Sequence, residues 1–88
     1  MYFEIDGVEY KRLGNEIWTV ENSSKITSVV SSKFNIGSDL YELDGHNVIR
    51  IVNSEIRVAL RSRSANYTDW ERTATCTISG STLNCSYE

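Results

Sequence analysis

The chain has 88 residues and a mass of 10.0 kDa, room for one domain, 1–88, and too little for a multidomain enzyme. Hydrophobic residues make up 40% and charged residues 24%, with two Trp, five Tyr and two Phe, a composition that packs a core and excludes a disordered tail. The formal net charge is -3, which argues against the strongly basic balance that makes nucleic acid the default partner.

No apolar run exceeds three residues, as at Val58-Ala59-Leu60, and the N-terminus reads Met-Tyr-Phe-Glu-Ile-Asp. Neither a membrane span nor a leader is therefore expected. The expected localisation is cytoplasmic, or extracellular if the chain is a mature form.

Proline is absent, and Asp6-Gly7, Gly14-Asn15, Asp44-Gly45, Asn53-Ser54 and Ser79-Gly80 separate β-rich runs, a hairpin pattern. Asp6-Gly7 is a type I′ signal that sets Ile5 opposite Val8, Glu4 opposite Glu9 and Phe3 opposite Tyr10. A further strand, Ile17-Trp18-Thr19-Val20, follows Gly14-Asn15. The period then changes: Ile26, Val29, Val30 and Phe34 fall at i, i+3, i+4 and i+8, which predicts an amphipathic helix over 24–34. Asn22, Ser23 or Ser24 would cap it and Gly37 stands just past its end. Its serines and β-branched residues are mediocre helix formers, so packing on the sheet has to stabilise it.

Beyond the helix, a three-residue loop Asp44-Gly45-His46 sets Leu43 opposite Asn47 and Tyr41 opposite Ile49. A two-residue Asn53-Ser54 turn sets Ile51 opposite Ile56 and Arg50 opposite Arg57. Together they predict one apolar face of Tyr41, Leu43, Ile49 and Ile51. Residues 61–71 are the most polar stretch and read as a loop into a terminal hairpin, 72–87. A faint echo links Phe3-Glu4-Ile5-Asp6-Gly7 to Tyr41-Glu42-Leu43-Asp44-Gly45, although a charged strand entering a tight turn accounts for it without duplication. The fold class expected is α+β: an antiparallel meander of six or seven short strands, barrel-like in one variant, with one helix packed on it.

Two cysteines allow one intramolecular pair. A four-residue loop at Ser79-Gly80-Ser81-Thr82 puts Cys76 opposite Cys85, where a disulfide fits. A two-residue turn at Ser79-Gly80 would leave the thiols diagonal and unbridged.

Charge is uneven along the chain: residues 1–48 carry four Lys/Arg against eight Asp/Glu, and residues 49–72 carry five Arg against Glu55, Asp69 and Glu71. With Arg50 across from Arg57 and Arg61 and Arg63 on the same side, like charges at about 5.5 Å repel by ~3 kcal/mol at an effective dielectric of 20. Glu4 and Glu9, themselves opposed, offer an internal compensation. An acidic protein surface or a phosphate backbone offers an external one, with Tyr67 and Trp70 available to stack. Arg50, Arg57, Arg61, Arg63, Tyr67 and Trp70 are thus the candidate binding residues, since Trp, Tyr and Arg anchor interfaces.

His46 is the lone histidine, at a turn, and no Ser or Cys base-nucleophile pair, zinc spacing or glycine-rich phosphate loop accompanies it. No catalytic residue, metal or cofactor is expected. The reading that follows is a non-enzymatic protein-binding module, an inhibitor or immunity-type protein of phage or mobile-element style that blocks a functional surface of a larger protein target. The alternative is a nucleic-acid-binding β domain using the arginine face, and the third is an extracellular inhibitor stapled by Cys76 and Cys85.

Overall fold

Asp6 and Gly7 both take positive φ, 48° and 83°, the backbone that a two-residue type I′ turn requires. In the computed structural model, which describes residues 1–88, this turn joins β1 (Tyr2–Ile5) to β2 (Val8–Leu13). Phe3 pairs with Tyr10, Glu4 with Glu9 and Ile5 with Val8, as the sequence predicts. The chain continues through β3 (Glu16–Thr19), β4 (Lys25–Ser28), β5 (Lys33–Ile36), β6 (Asp39–Asp44), β7 (Asn47–Ile51) and β8 (Ile56–Ala59). It ends with β9 (Ser62–Arg63), β10 (Ala74–Ser79) and β11 (Thr82–Tyr87).

The fold is all-β, which corrects the α+β expectation. Two antiparallel sheets, β4-β3-β2-β1-β9 and β11-β10-β8-β7-β6-β5, replace the single meander with its helix. Residues 24–34 form β4, a short connection and β5, so this segment carries the chain from one sheet to the other. The apparent helical period includes Val30, which is 99% exposed and so lies on no buried face. Ile26, Thr27, Val29 and Val30 are β-branched and lose rotamer freedom in a helix. The segment instead finds backbone partners on both sides: the Val29 amide donates to Asn15 O at 2.6 Å and the Leu43 amide to Ser32 O at 2.7 Å. No helix of the chain is long and apolar enough to cross a membrane.

The core lies between the sheets. Phe3 stacks on Tyr10 at 5.4 Å and Phe34 on Tyr41 at 5.5 Å, and Phe3 meets Phe34 edge-on at 6.2 Å, joining the two stacks. Ile5, Ile17, Val29 and Val48 complete it. The two aromatics of the echoed motif, Phe3 and Tyr41, thus enter one core from opposite sheets.

Two turns differ from expectation by one residue each, and a one-residue slip moves a strand's side chains to the other face. Asp44 pairs with Asn47 across a two-residue Gly45-His46 turn, so Tyr41 faces Arg50 and Leu43 faces Val48. At the next turn Asn53 Oδ1 accepts from the amides of Glu55 (2.8 Å) and Ile56 (3.0 Å), an Asx turn that adds a residue to the loop. Ile51 therefore pairs with Arg57 and Arg50 with Val58. Tyr41, Leu43 and Val48 face the core, and Ile49 and Ile51 face away from it.

Residues 61–71 are not all loop. β9 pairs Ser62 with Phe3 and Arg63 with Tyr2, and Ser62, only 1% exposed, donates its hydroxyl to His46 O at 3.0 Å. At the C-terminal hairpin Gly80-Ser81 is the turn, Ser79 pairs with Thr82, and Cys76 faces Cys85. The two cysteines form a disulfide with Cα atoms 4.0 Å apart.

Candidate functional site

The arginine face expected from the sequence is divided by the extra residue that Asn53 holds in its turn. Arg50 sits on the core side of the six-stranded sheet, where it meets Asp39 at 3.0 Å and Asp6 at 4.0 Å. Arg57 sits on the opposite side, bound to Glu42. The like-charge pair that called for compensation is therefore absent.

Arg61 and Arg63 lie elsewhere, on the outer face of the five-stranded sheet. Because Phe3 and Ile5 point into the core, alternation turns Tyr2, Glu4 and Glu9 outward, and the two opposed glutamates each take an arginine. Arg61 approaches Glu4 at 3.8 Å, and Arg63 donates to Glu9 at 2.8 Å. The Arg63 guanidinium lies over the Tyr2 ring at 4.4 Å and the Trp70 ring at 5.0 Å, and that of Arg61 lies over Trp70 at 5.3 Å. Arg63 also donates to Tyr67 O at 3.2 Å. These groups form one internally neutralised cluster in which cation–π contacts hold the guanidinium planes. The structure brings Arg61, Arg63, Tyr67 and Trp70 together and leaves Arg50 and Arg57 outside the group. Tyr67 stays 69% exposed, beside a hollow of about 380 Å³ that also touches Met1 and His46.

A larger concavity of about 600 Å³ lies on the outer face of the six-stranded sheet. Arg57 pairs with both Ile51 and Cys76, and Cys76 pairs with Cys85, so all four share this face. By alternation Ile49, Ala59, Ala74, Ile78, Leu83 and Tyr87 share it too. Ile78, Leu83 and Tyr87 are exposed and form an apolar wall. Glu71 and Arg72 also line the concavity, just beyond the Ala74–Tyr87 end of the hairpin. Of the five arginines in residues 49–72, four hold carboxylates and Arg72 does not. A hydrophobic floor with one uncommitted guanidinium at its edge suits an apolar peptide surface carrying a carboxylate.

The sequence reading missed Arg72, Ile78, Leu83 and Tyr87 as a group. Their signal is the alternation Ala74, Cys76, Ile78 against Thr75, Thr77, Ser79, and Leu83, Cys85, Tyr87 against Thr82, Asn84, Ser86. Alternation marks a face and says nothing of whether another layer covers it.

One buried group has a displaced acidity. Burial raises the Tyr41 phenol above its ordinary value of 10.0, with Arg50 pulling the other way and Asp39, Asp6 and Tyr10 adding to the rise. Tyr41 faces the core and not the groove, so this shift belongs to stability. No three His, Cys, Asp or Glu side chains gather as a metal site would need. Comparisons with protein-family models, curated proteins and solved structures yield no match.

Proposed function

We propose that this chain is a small non-enzymatic protein-binding module, of the inhibitor or immunity type, that blocks a functional surface of a larger protein. The observation that carries this reading is the outer groove of the six-stranded sheet, which exposed Ile78, Leu83 and Tyr87 line together with unpaired Arg72. Contiguous exposed apolar surface with a polar rim marks interaction sites, and Tyr and Arg are the residue types that dominate their energetics. The nucleic-acid alternative draws less support, because four guanidiniums it would use already hold carboxylates, and each phosphate contact would have to displace one.

The test is affinity capture from source-cell lysate, with and without nuclease, using wild type and Arg72→Glu/Tyr87→Ala. A stoichiometric protein retained by wild type after nuclease and lost with the double variant is expected, followed by a functional assay of that protein. Retention of nucleic acid alone, with all proteins lost after nuclease, would overturn the reading.

A second reading keeps the same surface but sets it in an oxidising compartment, and the Cys76–Cys85 disulfide supports it, because such bonds persist outside the reducing cytosol. A thiol titration of freshly isolated, unreduced protein distinguishes the two compartments. Zero free thiols favours the oxidising one, and two free thiols removes it.

A further inference from the structure

The two sheets have four edges, β4, β9, β5 and β11, and three of them carry features that discourage pairing with another strand. β9 is two residues long. β4 is headed by Lys25 and its ladder with β3 is broken by a register shift. β5 is four residues long and begins with Lys33. β11 has none of these features. It runs six residues, Thr82–Tyr87, without a charge, and all six are exposed. Its register with β10 is unbroken from Ser79–Thr82 to Ala74–Tyr87, and the disulfide fixes it to β10.

The outward backbone groups of β11 can be assigned. The Glu88 amide donates to Thr73 O at 3.1 Å, and hydrogen-bonded pairs alternate along an antiparallel ladder. Ser86 and Asn84 therefore spend their backbone groups on β10, and Leu83, Cys85 and Tyr87 point theirs outward. The Ile78 amide, which donates to Glu55 O and not toward β11, confirms the phase. The three residues with free N–H and C=O groups are also those whose side chains lie on the groove side.

We infer that this edge pairs antiparallel with the β11 edge of a second copy of the chain, about a two-fold axis through Cys85. The outward residues form an odd set centred on Cys85, so this register pairs every free group with an equivalent one. Leu83 lies opposite Tyr87 of the second copy, an apolar–aromatic cross-strand pair, and the arrangement is isologous, as a two-fold contact must be. Glu88 lies opposite Thr82 of the second copy, so the only nearby charge does not meet its own kind. An axis normal to the sheet keeps both outer faces on one side, which joins two six-stranded sheets into one and sets the two grooves next to each other. This inference rests on the strand edge and stands whether or not the groove binds another protein.

The test is sedimentation equilibrium of the purified chain over a concentration series, together with amide hydrogen exchange. Wild type is expected to pass from 10.0 kDa to twice that mass as concentration rises. Leu83→Lys removes two Leu83–Tyr87 pairs at once by symmetry and adds charge to the edge, which weakens association roughly tenfold or more. Val30→Lys, at a fully solvated position remote from β11, leaves it unchanged. In the dimer the Leu83, Cys85 and Tyr87 amides gain protection that is lost on dilution. A chain that stays at 10.0 kDa throughout, or a dimer in which those three amides remain unprotected, would refute the β11 pairing.

Discussion

The first hairpin, β1–β2, and the last, β10–β11, both close on two-residue turns and both alternate apolar with polar residues. In the first, Phe3, Ile5 and Tyr10 are 0%, 6% and 9% exposed, whereas in the last Ile78, Leu83 and Tyr87 are 39%, 57% and 72% exposed. The difference comes from what each apolar face meets. Phe3 and Tyr10 stand against Phe34 and Tyr41 from the other sheet, while the outer face of β10–β11 has no layer over it. A lone hairpin is marginal in water, so the last one depends on its pairing with β8 and on its disulfide. The body is held by burial, and the C-terminal hairpin by backbone pairing and a covalent bond.

Phe3→Ala breaks the first side of that comparison. The ring is fully buried at the junction of the two aromatic stacks, and its removal is expected to cost about 3–5 kcal/mol. That is a large share of a small domain's stability, so global unfolding in urea should shift strongly. Leu83→Ala in the same assay is expected to stay within ~0.5 kcal/mol.

Reducing Cys76–Cys85 tests the other side. The bond closes a ten-residue loop, for which chain entropy gives roughly 2.5–3 kcal/mol. Amide exchange of the β10–β11 ladder should accelerate by about a hundredfold at that cost, with the amides of β1 and β2 unaffected. Uniform acceleration across both sheets would show that the hairpin and the body unfold as one unit.

The smallest effect appears only at alkaline pH. Burial raises the Tyr41 phenol above 10.0, so the folded chain keeps a proton that the unfolded chain loses. This contribution is fully present below pH 10 and declines as pH rises through the folded-state value. Tyr41→Phe is expected to leave stability near neutral pH almost unchanged, since no hydrogen bond from the phenol is found, and to flatten the alkaline decline. A decline of equal steepness in Tyr41→Phe would assign it to other groups.

The hairpins were the most legible part of the sequence, because turn residues and alternation act over a few positions. The register at Asp6-Gly7 follows from that local chemistry, whereas the C-terminal turn allowed two arrangements, of which the structure takes the one that sets Cys76 opposite Cys85. The helix expected over 24–34 does not form: four apolar residues in eleven satisfy a helical period by spacing alone. Their use was decided by hydrogen bonds of the segment with Asn15, in the turn between β2 and β3, and with Leu43 of β6. The arginine face failed on a finer point: Asn53 accepts two amide hydrogen bonds, adds one residue to the turn, and sends Arg50 and Arg57 to opposite faces. The mutual satisfaction of Glu4 and Glu9 by arginines was legible as a charge argument, although the partners proved to be Arg61 and Arg63 alone.

By itself the sequence determined that the chain is rich in hairpins, where most of its turns fall, and which residues alternate. Those properties depend on φ preferences, side-chain size and a period of two, all local. Only the tertiary structure decided that there are two sheets and no helix, which arginines are committed to carboxylates, and that the outer face of β10–β11 is left uncovered. Each of those outcomes depends on which distant segment lies opposite, and the pattern within a strand carries no record of what comes to cover it.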